Sequence, residues 1–393
     1  MANKALDALN EFVVVASHDG RIQAIDARDG HARWTQTCGH SYAGLALAQV
    51  GHEVVAVSGD GYVCVLALDD GTVRWEVSLP LPHGPVTTPI GGIRIAANQQ
   101  LVAVQLGGII FALALDDGHT FWEARPSPTA RQWWLLAAGE QHIYTLQKER
   151  SAARPRHGTE DAPPRPPAAF AFVTTAFSAW DGTPHWFAHE EDSAAEPPWD
   201  GGSSLVEEGG VVYAYSGQGL RAFETASGAP LWTCDMALHY HIGALALSRD
   251  FIAVAANRVF GAYRRDTGTL LWSQTAAKRA DGYFEWFDTP LVLGDAVCVG
   301  RSSSGGSSPA AFHIESYEGE TGALRWVWSP AADSGAVQVD VSWRYRGAGA
   351  TLYVPSRDVL WGIHAADGRE RWHLSYDFRS GFNALLAVSM TNS

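Results

Sequence analysis

Hydrophobic and polar positions alternate along this chain in short runs, and turn-forming residues separate the runs. Residues 21–34 read RIQAIDARDGHARW, where apolar and polar side chains alternate up to an Asp-Gly turn. Residues 62–75 (YVCVLALDDGTVRW) and 220–232 (LRAFETASGAPLW) follow a similar course. A period of two is typical of β-strands, so the pattern predicts short strands and tight turns rather than helices.

An internal repeat then determines the fold class. Glycine at the end of such a turn is followed four residues later by tryptophan, eight times over. Glycine supplies the positive φ that a tight turn requires, and the flat indole can cover the edge of a neighbouring sheet. Because a four-stranded sheet buries its faces only against adjacent sheets, the repeat predicts an all-β fold, an eight-bladed β-propeller of four-stranded antiparallel blades. The pairs are Gly30/Trp34, Gly71/Trp75, Gly118/Trp122, Gly182/Trp186, Gly228/Trp232, Gly268/Trp272, Gly322/Trp326 and Gly368/Trp372.

The repeat resembles that of the PQQ-like, or quinoprotein-type, β-propeller family, as in the segment from Ala24-Ile25-Asp26 to Trp34. The resemblance extends over essentially the whole chain, so residues 1–393 are expected to form a single propeller domain. The family includes quinoprotein alcohol dehydrogenases and the lipoprotein of the outer-membrane assembly machine. The resemblance therefore implies an architecture far more strongly than a function.

The strands of each blade are expected to run from A at the axis to D at the rim. Only seven innermost A strands are found, and the first blade begins at its B strand with residues 11–17. The orphan strand at 382–389 is expected to supply the missing A strand and so to close the ring by pairing beside residues 11–17. The seven predicted A strands are 43–50, 91–97, 133–138, 203–208, 243–248, 289–294 and 341–347.

Charge and cysteine spacing narrow the possible partners and the compartment. The net charge of −14 argues against nucleic acid and against an anionic membrane surface as partners. Residues 1–17 hold no apolar run long enough for a signal peptide, and no stretch is long enough to span a membrane. The four cysteines are widely spaced, as expected of a cytoplasmic protein with reduced thiols, and we expect a monomer.

Function is expected on the face of the disc where the D–A and B–C connections emerge. Two long polar connections, 148–168 and 301–310, fall on that face, either as functional loops or as tolerated surface insertions. Five of the eight tryptophans outside the repeat also lie in D–A connections or at the start of A strands. A concave site rich in aromatic side chains with a few polar groups is the usual form of a ligand pocket.

The predicted pocket lies at the mouth of the central channel. His239 and His241 alternate with Tyr240, so both imidazoles would face the same way, and Glu285, Asp288 or Asp340 of neighbouring blades could join them. These groups could act as an acid–base pair or bind a metal, or they could simply be hydrogen-bonded around a water-filled channel. The aromatic residues could likewise serve only to fill the wide axis. The candidate catalytic residues are His239, His241, Glu285 and Asp288, and the candidate ligand-binding residues are Tyr42, Trp133, Trp134, Trp199, Tyr240, Tyr283, Trp286, Asp340, Trp343, Arg344, Arg379 and Phe382.

Two classes of function fit this pocket. The first is a binding propeller that holds a small aromatic, polycyclic or sugar-like ligand, or a protein partner. The second is an enzyme without a cofactor, a lyase, isomerase or cyclase that uses His and carboxylate groups. The quinoprotein dehydrogenases that resemble this repeat carry adjacent disulfide-linked cysteines and acidic calcium ligands. Adjacent cysteines are missing from this sequence, so PQQ is not expected, and binding is the favoured interpretation.

Overall fold

The chain folds entirely into short β-strands in the part that the structure describes. The computed structural model describes residues 11–17, 20–37, 45–81, 93–125, 130–150, 170–192, 204–216, 219–235, 243–256, 258–278, 285–303, 311–330, 345–355, 359–375 and 382–389. Within these ranges there are thirty-three strands and no helix, hence none that could cross a membrane. In chain order they are β1 Glu11–Ser17, β2 Arg21–Asp26, β3 Ala32–Thr37, β4 Leu45–Val50, β5 Glu53–Ser58, β6 Tyr62–Ala67, β7 Val73–Ser78, β8 Arg94–Ala97, β9 Leu101–Leu106, β10 Ile109–Ala114, β11 Thr120–Ala124, β12 Ala130–Ala138, β13 His142–Arg150, β14 Phe170–Ser178, β15 Pro184–Asp192, β16 Ser204–Glu208, β17 Val211–Ser216, β18 Gly219–Glu224, β19 Pro230–Asp235, β20 Gly243–Leu247, β21 Phe251–Ala256, β22 Val259–Arg264, β23 Leu270–Thr275, β24 Glu285–Phe287, β25 Leu291–Leu293, β26 Ala296–Ser303, β27 Ala311–Glu318, β28 Leu324–Trp328, β29 Arg346–Ala348, β30 Thr351–Pro355, β31 Val359–His364, β32 Glu370–Ser375 and β33 Phe382–Ser389.

The strands form eight antiparallel sheets, which are the blades of a propeller. Blade 1 is β33-β1-β2-β3, blades 2 to 6 take four consecutive strands each from β4 to β23, blade 7 is β24 to β28, and blade 8 is β29 to β32. The prediction of an eight-bladed, all-β propeller is therefore confirmed. The B and C strands are the most deeply buried, as in β9 and β10, whose residues are all buried. Their apolar side chains form clusters that span adjacent blades, which is how each sheet buries both faces.

The ring closes within blade 1, as the sequence predicts. Strand β33 pairs with β1 in antiparallel register, with Glu11 opposite Ser389 and Val14 opposite Leu386. The buried Glu11 side chain also reaches into blade 8, where its carboxylate accepts hydrogen bonds from the Ala350 amide at 3.0 Å and the Thr351 hydroxyl at 3.1 Å. Closure thus depends on one strand pairing and on a side chain that bridges blades 8 and 1.

The eight repeat tryptophans link each blade to the next around the whole ring. Each indole N–H donates to a backbone carbonyl oxygen of the following blade over 2.6 to 3.2 Å, and Trp372 of blade 8 completes the circle at Ala27 of blade 1. Each indole also lies against the turn glycine of that blade. A Cβ on Gly118, where φ is +76°, would lie 2.5 Å from the Trp75 ring. The glycine is therefore required both by the turn and by the indole packed on it.

Blade 7 departs from the regular blade because its A strand is broken. The sequence predicts an A strand over 289–294, but two short strands, β24 and β25, both pair with β26. Pro290 lies between them and has no N–H to donate to the ladder, while the Asp288 amide still donates to Gly300 at 2.9 Å. Residues 285–287 therefore belong to the sheet rather than to the connection. The strands also extend into the two predicted long loops, through 148–150 and 301–303.

Candidate functional site

The described part of the predicted pocket is the D–A end of blade 7. Glu285 and Trp286 lie in β24, and Asp288 follows that strand directly. The chain places them there because β24 pairs with the end of β26 that leads into the B–C connection. For Trp133 and Trp134 in β12 and Phe382 in β33, the structure describes the backbone alone. The other predicted residues lie outside the described part: Tyr42, Trp199, His239, Tyr240, His241, Tyr283, Asp340, Trp343, Arg344 and Arg379.

Glu285 belongs to a charged cluster on the face of blade 7 that meets blade 6. Arg301 of β26 is its centre, with Nε 2.9 Å from the Glu285 carboxylate and Nη1 3.0 Å from the Glu315 carboxylate. His313 lies 3.1 Å from Glu315 through Nε2, and the Tyr317 hydroxyl donates to Glu315 at 2.6 Å. We call these five residues the Arg301 cluster. It is polar, held together by its own contacts, and lies on the A, B and C strands of blade 7.

Exposure within the Arg301 cluster changes from one end to the other. The Glu285 side chain is 26% exposed and that of Arg301 is 18% exposed, whereas Glu315 is 8% exposed. Burial by itself raises the pKa of Glu315, but hydrogen bonds from His313, Tyr317 and Arg301 outweigh it and bring that pKa down to about 2. Glu315 is therefore an anion at neutral pH. It anchors Arg301 from below, while Glu285 is the more accessible carboxylate.

Asp288 lies on the opposite face of the same sheet, towards blade 8. Its carboxylate accepts a hydrogen bond from Ser302 at 2.9 Å, and Ser302 follows Arg301, so the two side chains point to opposite faces. Tyr345 directly precedes blade 8, and its hydroxyl accepts a hydrogen bond from the Gly300 amide at 2.6 Å, beside the Asp288 carboxylate. Burial raises the pKa of Asp288 to about 6, against a smaller opposing effect of the Ser302 hydrogen bond.

The structure therefore separates two carboxylates that the sequence prediction grouped together. Glu285 faces blade 6 and Asp288 faces blade 8, so they do not converge on one group. Half-buried Trp286 is paired with Ser302 and shares the Asp288 side of the strand. Where the chain is described, no cluster of three or more His, Cys, Asp or Glu residues suited to a metal is found.

Sequence reasoning missed Arg301, His313, Glu315 and Tyr317. A signal was available, because polar side chains occur at alternate positions of β27 (AFHIESYE), a C strand. The corresponding strand of blade 3, β10 (IIFALA), is wholly apolar. Alternate polar residues in a strand buried on both faces must find partners, and this predicts a polar cluster.

Two described clefts open on the other face of the disc, where the A–B and C–D turns lie. One, of about 870 Å³, is lined by turns of blades 3, 4 and 5 and includes His142, Trp180, His185 and Glu207. We call it the blade 4 cleft. The other, of about 670 Å³, lies among blades 5, 6 and 7 beside Arg265. These clefts are not on the face where the sequence prediction placed the pocket.

The described residues do not supply the set of groups that PQQ would need on the pattern of the quinoprotein dehydrogenases. Cys64, Cys234 and Cys298 lie in blades 2, 5 and 7, so none of them is adjacent to another. Acidic side chains grouped for a metal are also missing from the part of the chain that is described. No step through PQQ is therefore derived for this chain.

Comparison with known proteins agrees with the fold. Among solved structures, BamB from Moraxella catarrhalis is 15% identical with a TM-score of 0.51, over 90% of this chain and 88% of that one. Apo AztD from Citrobacter koseri is 14% identical with a TM-score of 0.57, over 96% and 98%. The quinohemoprotein alcohol dehydrogenase from Comamonas testosteroni is 11% identical with a TM-score of 0.61, over 96% and 72%. At these identities the likeness shows the fold alone.

Comparison by sequence gives the family. No curated protein matches the chain. The family model described as outer membrane protein assembly factor BamB matches residues 4–136 and 216–392, which is most of the chain. With its eight glycine–tryptophan repeats, the chain therefore belongs to this family of PQQ-like β-propellers.

Proposed function

We propose that this chain is a binding propeller whose D–A face, around blade 7, receives a partner that presents a positive charge beside a planar or apolar group. The observation that carries the proposal is the composition of the Arg301 cluster. It holds two carboxylates for one guanidinium, and the more exposed carboxylate is Glu285. Trp286 follows Glu285 in the same strand, on the opposite face of the sheet, and is half-buried, so it offers an aromatic surface at the same end of blade 7.

Binding is favoured over catalysis because the described titratable groups of the Arg301 cluster are already engaged. Glu315 accepts hydrogen bonds from three side chains, and its pKa of about 2 makes it a poor proton acceptor at neutral pH. The His313 imidazole is engaged by Glu315 as well. These contacts preorganise a charged surface, as recognition requires, without leaving a base free to take a proton.

One observation favours the alternative, a cofactor-independent acid–base enzyme. Asp288 has a pKa of about 6, close to the value that suits a general acid or base near neutrality. Asp288 is, however, half-buried, and its carboxylate is engaged by Ser302 beside Tyr345, which favours a structural role in blade packing.

Charge and family both support a protein as the partner. A chain with a net charge of −14 attracts basic surfaces over a distance and speeds their encounter. The family model is described as an outer membrane protein assembly factor, a name that implies action on other proteins. A basic segment of a partner protein is therefore the first occupant to test, with a small cationic aromatic molecule as the second.

Site-specific crosslinking tests the proposal. A photoreactive benzoylphenylalanine would replace Trp286 and, in a matched control, Phe187, an exposed aromatic residue of a D strand in blade 4. In the source organism we expect one dominant crosslinked protein from position 286 that is not obtained from position 187. Native mass spectrometry of the purified chain tests for a small molecule instead.

A second variant separates binding from catalysis. Glu285→Gln should weaken binding of the crosslinked partner and reduce its dependence on salt. Equal crosslinking from both positions, or unchanged binding after Glu285→Gln, would contradict the proposal. The enzyme alternative would replace the binding proposal if a substrate were found that Asp288→Asn still binds but no longer turns over.

A further inference from the structure

Two histidines of blade 4 lie side by side in the blade 4 cleft, on the face of the disc opposite the proposed D–A binding face. His142 begins the B strand β13 and His185 lies in the D strand β15. A hydrogen bond of 3.1 Å joins His142 Nε2 and His185 Nδ1, the ring centroids are 4.8 Å apart, and the ring planes differ by 21°. Both residues line the cleft of about 870 Å³, so a small species in solution can reach them.

A β-bulge brings His185 to this position. Ala176 pairs with Trp186 and Phe177 pairs with Pro184, so His185 is the extra residue of the bulge. Bulges redirect a side chain relative to the regular ladder. The same irregularity precedes the repeat tryptophan in the other blades, for example between Val65 and Leu66 in blade 2.

In three other blades the bulge position holds an arginine that meets an oxygen, whereas in blades 3, 5 and 6 it holds an apolar residue. In blade 1 Arg33 lies 3.0 Å from the Asp26 carboxylate, and in blade 8 Arg371 donates to the Thr351 hydroxyl at 3.1 Å. In blade 7 Arg325 pairs with Asp295 at 2.7 Å. Blade 4 has two imidazoles instead, which gain no ion-pair energy and would repel each other if both were protonated. An ion pair like those of blades 1 and 7 is therefore missing here, and a hydrogen bond between two imidazoles takes its place.

The distance between the nitrogens suits a shared metal ion. Imidazole nitrogens bind Zn²⁺ at about 2.0–2.1 Å, so two of them on one ion lie about 3.0–3.4 Å apart. Burial and the neighbouring His185 lower the pKa of His142, and it is the neutral form of imidazole that binds a metal ion.

Carboxylates around the same cleft add to the case. Glu140 and Glu207 also line it, and burial, together with the nearby charges of Glu140 and Glu208, raises the pKa of Glu207. A divalent cation would offset this concentration of negative charge. Among the described residues there is no group of three or more His, Cys, Asp or Glu side chains that could hold a metal ion. Two histidines would therefore be the only protein ligands described, and water or a bound molecule would complete the coordination.

We propose that His142 and His185 form a two-histidine chelate for a divalent transition-metal ion in the blade 4 cleft. Imidazole ligands select Cu²⁺, Ni²⁺, Co²⁺ and Zn²⁺ over Mg²⁺ and Ca²⁺, and affinity should rise from Co²⁺ through Ni²⁺ to Cu²⁺. The family model does not match residues 137–215, which contain both histidines. The site is therefore a feature of this chain's own blade 4, and it does not depend on the function proposed for the D–A face.

Titration of the tag-free full chain with metal tests the proposal. The protein would be stripped with EDTA, and binding of NiCl₂, ZnCl₂ and MgCl₂ would be measured by isothermal titration calorimetry at pH 7.5. We expect the parent to bind one equivalent of Ni²⁺ or Zn²⁺. In both His142→Asn and His185→Asn this binding should be lost or at least tenfold weaker. His119→Asn, which changes an exposed histidine of blade 3, is the matched control and should bind as the parent does.

A second measurement guards against misfolding of the variants. Ni²⁺ should raise the melting temperature of the parent and of His119→Asn but not that of the two cleft variants, whose circular dichroism should match the parent. The proposal is overturned if either cleft variant binds Ni²⁺ as tightly as the parent. Binding of Mg²⁺ as tight as that of Ni²⁺, or no Ni²⁺ binding at millimolar concentration, would also overturn it.

Discussion

Replacement of Asp288 by asparagine should change the pH dependence of stability by a calculable amount. Burial raises the pKa of Asp288 from 3.8 to about 6, so the folded chain holds this proton more tightly than the unfolded chain. Between about pH 4 and pH 6 the unfolded state therefore releases the proton first, and the free energy of unfolding falls as the pH rises. Above pH 6 the loss is complete, and a change in pKa of this size corresponds to about 3 kcal/mol.

Asp288→Asn removes the charge and keeps the shape of the side chain. Relative to the parent, the variant should gain about 2–3 kcal/mol of unfolding free energy at pH 8 compared with pH 4. Urea unfolding followed by tryptophan fluorescence at both pH values gives this double difference, in which pH effects from all other groups cancel. An equal effect of the substitution at the two pH values would refute the reasoning.

A control with the opposite sign is available in Asp295 of the same blade. Its side chain is 79% exposed and pairs with Arg325, whose hydrogen bond lowers the pKa of Asp295. That carboxylate contributes stability above its unfolded pKa and loses it as the pH falls. Asp295→Asn should therefore destabilise the chain slightly more at pH 8 than at pH 4, the reverse of Asp288→Asn.

Four further predictions concern the ring and the cysteine thiols. Gly118→Ala should be strongly destabilising in thermal melts, since its Cβ would meet the Trp75 ring, whereas Gly51→Ala, where nothing lies within 4 Å, should cost only about 1 kcal/mol for the strained backbone. Trp372→Ala should cost about 3–5 kcal/mol in urea unfolding, and deletion of residues from Phe382 onward should destabilise more than that, because it exposes the inner edge of β1; parent-like melting of either would contradict the closure described above. Thiol titration of the denatured, unreduced protein should find four thiols, and fewer would contradict the proposed reducing compartment.

The sequence was sufficient for the fold because the repeat is local and is found eight times. Each glycine and tryptophan is specified within its own hairpin, and the missing A strand of blade 1 could be matched to a strand at 382–389 by counting. The break in the seventh A strand was harder to predict. Pro290 marks it, but whether residues 285–287 pair at all depends on how far β26 extends.

The candidate site was only partly predictable, because its geometry is set by contacts between strands. Arg301 reaches Glu285 on one neighbouring strand and Glu315 on the other, and both contacts depend on register that the sequence does not state. A difference of a single residue in register places a side chain on the other face of a blade, as the consecutive residues Arg301 and Ser302 show. The histidine pair depends similarly on a bulge that no composition or spacing argument specifies.

The pairing of β33 with β1 means that the order of the blades around the axis defines this protein, not the point at which the polypeptide begins. Glu11 and Ser389 are register partners, so their Cα atoms lie about 5 Å apart, a gap that a tight turn spans. Blade 2 has such a turn between Val50 and Glu53. A circular permutant that joins Ser389 to Glu11 through such a turn and opens the chain before β4 would keep every blade. The pairing of β33 with β1, which hydrogen bonds alone now hold together, would then become a covalent hairpin like those between the A and B strands of other blades.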